Sequence, residues 1–155
     1  MTENETVLRI KEHLQIDGAL YGHGFLGNSR DFNADVRVVV PAGPNSKCLK
    51  TEAYRFTFTH CVLASISSRL SDKDLSLSWD DLYLNKTAWK AAGEPDGHVW
   101  SDYADTSPGG LYVDDSPLAE EWTNRLGRTM HEVVLDTTAT SIRLIFHDLK
   151  VDLVL

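Results

Sequence analysis

Six histidines, at positions 13, 23, 60, 98, 131 and 147, are the side chains of this chain best suited to bind a metal or move a proton. Their spacing does not make a ready metal site. No two stand four apart on one helix, and no HExxH occurs. His131-Glu132 and His147-Asp148 fall in strand patterns, where neighbours point to opposite faces, so each strand offers an ion one member of its pair. No metal is therefore expected. Nucleophilic chemistry is no better supplied, because there is no GxSxG elbow and His60 and Cys61 are consecutive in a strand pattern. The carboxylate pairs Asp80-Asp81 and Asp114-Asp115 have the form of helix caps and solvated loops. Gly22 to Gly27 spells GxGxxG, but that fingerprint needs a helix after its strand, and here a turn and a second strand follow. No catalytic residue and no cofactor is assigned.

The elements that would position any site are mostly strands. From Met130 to Leu155 apolar residues alternate with polar ones, first over Met130–Asp136, then over Ile142–Phe146, then through Leu149, Val151, Leu153 and Leu155. A period of two with Arg143, His147, Lys150 and Asp152 opposite an apolar face predicts an antiparallel sheet packed on one side and wet on the other. Further strands are expected over 19–25 and 32–40, joined as a hairpin by Gly27-Asn28-Ser29. Another is expected over Tyr54–Leu63, running on through Ile66. His98–Tyr103 reads as a short strand broken by Thr106–Gly110.

Three helices are indicated. Thr2 and Glu5 have capping-box spacing before Val7, Ile10 and Leu14, which predicts a helix over about 4–15. Ser78–Asp81 has the form of a second helix start. Ser116 caps Pro117, and Leu118, Trp122 and Leu126 make one stripe that Gly127 ends. Trp79 and Trp122 are expected to anchor their helices on the core, and Trp89 and Trp100 to be partly exposed beside a Gly/Pro/Asp loop. The plan is α+β: a predominantly antiparallel β-sheet with an N-terminal helix and one or two short helices packed on it.

With 155 residues, 42% apolar and 25% charged, the chain is expected to be one domain, 1–155, with its own core. A net charge of −8 argues against nucleic acid and would steer the protein toward a basic partner. Neither Cys48 nor Cys61 belongs to a CxxC pair, no apolar run is long enough to cross a bilayer, and the N-terminus is acidic. A cytoplasmic protein off the membrane is expected. The terminal strand has no guarding proline, so homodimerisation through a sheet edge is open to it.

Gly24-Phe25, Arg30-Asp31-Phe32, the Tyr54–Val62 strand and Asp96-Gly97-His98-Val99-Trp100, taken together, resemble the YxiG-like family of uncharacterised bacterial proteins. Pro108-Gly109-Gly110, Glu121-Trp122, His131-Glu132-Val133 and Leu144–Leu149 continue the resemblance from about residue 20 onward. It implies no catalytic residues. It does suggest a protein-binding domain, immunity-like in the sense of neutralising a toxin. The competing expectation is a small-molecule or metal-binding protein, with an enzyme as its extreme form. The candidate binding residues for that site are His23, Arg30, Asp31 and Trp100 from the family-like phrases, with Trp89.

Overall fold

The computed structural model describes residues 4–16, 18–27, 29–68, 86–93, 105–107, 110–137 and 140–154. Helix α1 (Glu5–His13) is capped by Asn4, whose side chain accepts the Thr6 amide proton at 2.8 Å. Thr2, expected to share in the cap, lies outside the described residues, as does the helix start at 78–81. Strands β1 (Gly18–Phe25) and β2 (Phe32–Pro41) form the expected hairpin, with a bulge at Leu20/Gly22. Strand β3 (Leu49–Thr59) pairs with the whole of β2, from Leu49 to Phe58. Then come β4 (Leu63–Ser68), α2 (Lys86–Ala91), β5 (Asp105–Ser107), β6 (Gly110–Tyr112) and α3 (Pro117–Leu126). The chain closes with β7 (His131–Asp136), β8 (Thr140–Phe146) and β9 (Asp148–Leu153).

These strands make two antiparallel sheets, ordered β5-β1-β2-β3-β9 and β4-β8-β7-β6, so the fold is α+β and mostly β. The core lies between the sheets. Phe32, Ala34, Val36, Phe56, Phe58 and Leu149 from the first meet Val133, Leu135, Ile142, Leu144 and Phe146 from the second. The Phe58 and Phe146 rings cross edge to face at 4.9 Å, the geometry their quadrupoles prefer. Ile10 of α1 and Leu14, which caps its C-terminus, close one side of this core. From the same helix, Arg9 Nη1 donates to the Leu149 carbonyl at 3.0 Å, so an open acceptor on edge strand β9 is occupied.

Three expectations are corrected. The long strand ends at Thr59 and resumes at Leu63, because His60 adopts φ 47° and turns the chain. Thr106 and Gly110, read as strand breakers, lie in the short strands β5 and β6, where pairing with β1 and β7 overrides local turn chemistry. The second sheet is wet on only part of its outer side: α3 covers Ile145, which is fully buried against Ala119 and Met130 with Leu118 and Trp122 packed on them, while Arg143 and its neighbour Ser65 on the same face are exposed. Trp122 thus anchors its helix as expected.

The cap of α3 is tied into β7. Ser116 Oγ accepts the Ala119 amide proton at 3.0 Å and donates to Glu132 Oε1 at 2.6 Å. Arg143 Nε stands 3.3 Å from the other Glu132 oxygen. A carboxylate that is 5% exposed is thereby satisfied on both oxygens. Asn33 is the opposite case: it is 6% exposed and its amide nitrogen and oxygen have no hydrogen-bond partner.

Candidate functional site

At one corner of the molecule two chain segments pass from sheet to sheet side by side. Thr59–Val62 leads from β3 to β4, and His147 leads from β8 to β9. Three backbone bonds of 2.8 Å stitch the corner: Cys61 N–H to the Arg30 carbonyl, Val62 N–H to Ile145, and His147 N–H to Thr59. Strands that switch sheets must bend there, and the bend turns side chains away from the alternation of a straight strand. Both His60 and His147 consequently face one cleft, with ring centres 6.0 Å apart.

The cleft has a volume of about 650 Å3. The β1–β2 turn brings Arg30 and Asp31, the end of α3 brings Arg128, and β9 brings Asp148 and Lys150. Gly127, at φ 66°, ends α3 in the left-handed conformation and so directs Arg128 out of the helix. An adjoining pocket of about 220 Å3 shares Arg30, His60 and Arg128 and adds Val62, Leu126 and Met130.

The two carboxylates of the cleft are already engaged. Asp31 Oδ1 accepts the His60 amide proton at 3.2 Å, holding the left-handed turn in place. Asp148 is ion-paired with Arg9 at 2.6 Å. Arg30, Arg128 and Lys150, by contrast, have no ion pair among the described residues. The His147 ring has a defined tautomer: Nδ1 lies 2.8 Å from the Thr129 carbonyl, which only accepts, so Nδ1 carries the proton. Nε2 is left as a lone-pair acceptor when the ring is neutral and as a donor when it is charged.

The other reactive groups lie outside the cleft lining. Burial pushes the Cys61 thiol up to about 11, and it donates to the Leu63 carbonyl at 3.2 Å. Cys48 is an exposed free thiol. His131, 4% exposed, lies 2.8 Å from the Tyr112 hydroxyl; burial first, and His147 second, hold its pKa below the usual imidazole value. Among the described residues no group of three or more His, Cys, Asp or Glu is arranged to hold a metal ion.

Of the residues chosen from sequence, Arg30 and Asp31 line this cleft and His23 does not. His23 pairs across the sheet with Ala34 and stacks on Phe32 at 6.1 Å, and it is exposed. Trp89 lies in α2 with its side chain outside the described residues, and Trp100 lies outside them altogether. The sequence reading missed His60, Arg128, His147 and Lys150. The rule that adjacent strand residues face apart holds for His131 and Glu132 but fails for His147 and Asp148, because His147 sits in the bend.

Among the described residues no helix is long and apolar enough to cross a membrane. The sequence model of the YxiG-like protein family matches residues 4–155. No curated protein and no solved structure matches the chain.

Proposed function

The chain belongs to the YxiG-like protein family, and from that premise we propose that it is a cytoplasmic binding domain whose corner cleft takes an anionic ligand. One observation carries the reading: three basic side chains, Arg30, Arg128 and Lys150, face one cleft without ion-pair partners among the described residues. A chain of net charge −8 has carboxylates to spare for them. Cations gathered on the walls of one cleft repel one another and concentrate anions. Binding is favoured over turnover because His147 is oriented by a backbone carbonyl, and no Ser, Thr or Cys hydroxyl or thiol among the described residues is hydrogen-bonded to His60 or His147. An acidic side chain of a partner protein has the same chemistry as a free anion. A toxin-neutralising role would therefore work through the same three cations, with an acidic rather than a basic contact.

Calorimetric titration of the full chain with inorganic phosphate, sulfate and citrate tests this. Binding weakened by added salt is expected, with at least a tenfold loss in the Arg30→Gln, Arg128→Gln double variant. Absence of binding for all three anions at about 10 mM, weaker than the roughly −4 kcal/mol of a millimolar site, would refute the proposal.

A further inference from the structure

The cleft and its neighbouring pocket share a wall, and that shared wall restricts the ligand further. Arg30, His60 and Arg128 line both. On one side they face Lys150 and the second imidazole; on the other they face the apolar side chains Val62, Leu126 and Met130. Leu126 is 49% exposed, a large apolar side chain held in water at the mouth of the smaller pocket. We propose that the two form one composite site for an amphiphilic phosphomonoester, with its phosphate among Arg30, Arg128 and Lys150 and a compact apolar group against Val62, Leu126 and Met130. This rests on the anion-binding reading and adds the ligand's charge and its second, apolar part.

The charge follows from counting groups. Three cations face two carboxylates, and Arg9 neutralises one of these, Asp148. Two positive charges remain with the histidines neutral. A phosphomonoester carries about −1.5 to −2 at pH 7, against −1 for a carboxylate, and has three terminal oxygens to share among separate donors. Arginine's planar fork suits such oxygens in particular. His147 Nε2, an acceptor on the neutral ring, can also accept a hydrogen bond from the P–OH of a monoprotonated phosphate. The size follows from the smaller pocket: an apolar cavity of about 150 Å3 takes a benzene ring, and this one offers about 220 Å3. A ring or a six-carbon chain attached directly to the phosphate therefore matches the volume of the smaller compartment.

The test is calorimetric titration of the full chain at about pH 7.5 with inorganic phosphate, phenyl phosphate, n-hexyl phosphate and benzoate. Phenyl and hexyl phosphate are expected to bind at least tenfold more tightly than inorganic phosphate. That factor, about 1.4 kcal/mol, corresponds to burying about two methylene groups. Benzoate, with the ring but a single charge, is expected to bind at least tenfold more weakly than phenyl phosphate. Leu126→Ser, at a half-exposed position, should cut the advantage of phenyl over inorganic phosphate severalfold. A blocked phosphotyrosine dipeptide separates the sources of this chemistry: affinity no better than phenyl phosphate assigns the site to a free small molecule, and a tenfold gain assigns it to a phosphorylated chain. Phenyl and inorganic phosphate binding within twofold of each other would overturn the composite site and leave the anion cleft standing. Benzoate equal to phenyl phosphate would overturn the choice of a dianion. Binding of none would overturn both proposals.

Discussion

Replacing His60 by glycine should stabilise the protein relative to alanine while costing it ligand. His60 sits at φ 47°, in the left-handed region, where a Cβ is penalised by about 1–2 kcal/mol. Glycine relieves that penalty, and its greater freedom in the unfolded chain returns about 0.4–1 kcal/mol of the gain. The ring itself contributes little to the fold: it is exposed, and its aromatic contact is an edge-on approach to His147. His60→Gly is therefore expected to be about 0.5–1 kcal/mol more stable than His60→Ala, the difference between those two terms. For a domain of this size that is about 1–4 °C in Tm. Thermal unfolding by circular dichroism and urea midpoints measure it. Both variants lose the imidazole, so both should bind phosphate more weakly and by the same factor. A glycine variant no more stable than the alanine variant would refute the backbone penalty assigned to position 60 at φ 47°. Unchanged phosphate affinity in both would remove the imidazole from the site.

Ser116→Ala removes the α3 cap, about 1 kcal/mol, and strips a buried Glu132 oxygen of its donor, a further 1–3 kcal/mol or so. Urea unfolding should show a loss of about 2–4 kcal/mol, and a loss below 1 would mean that the Ser116–Glu132 bond is idle. Asn33→Val exchanges two buried, unpartnered amide atoms for a β-branched side chain on a strand, so a gain of about 1 kcal/mol in the same assay is expected. Gly18→Ala should cost about 1–3 kcal/mol, since its Cβ would overlap the Arg37 carbonyl oxygen and lie 2.8 Å from both Val36 and Val38. Acid should weaken the fold through His131. Its pKa is lowered in the folded state, so the unfolded chain takes up the proton first and stability is lost as the pH falls below 6.5, the ordinary imidazole value. Urea midpoints at about pH 7.5 and 5.5 measure this loss, and His131→Gln should reduce it; an identical acid loss in the variant would point to other groups.

The sequence determined the elements whose information is local. Alternation placed Ala34, Val36, Phe56, Phe58, Ile142, Leu144 and Phe146 in one core, and Asn28-Ser29 beside Gly27 marked the β1–β2 turn. Ser116-Pro117 and Gly127 bounded α3 because capping and left-handed closure are decided within a few residues. The family was legible for the same reason, in short phrases. Tertiary structure alone decided where strands stop. Nothing near Thr59 signals a turn, and a histidine at φ 47° is held there by the Asp31 carboxylate, 29 residues away in sequence. The corner it creates is also what defeats the face rule for His147 and Asp148. The same holds for the cleft: Arg30, His60, Arg128 and the neighbours His147 and Lys150 come from four separate segments, and β3–β9 pairing and strand bending bring them together. The two-residue period of a strand says which face a side chain takes only while the strand runs straight, and the candidate site is built where two of them bend.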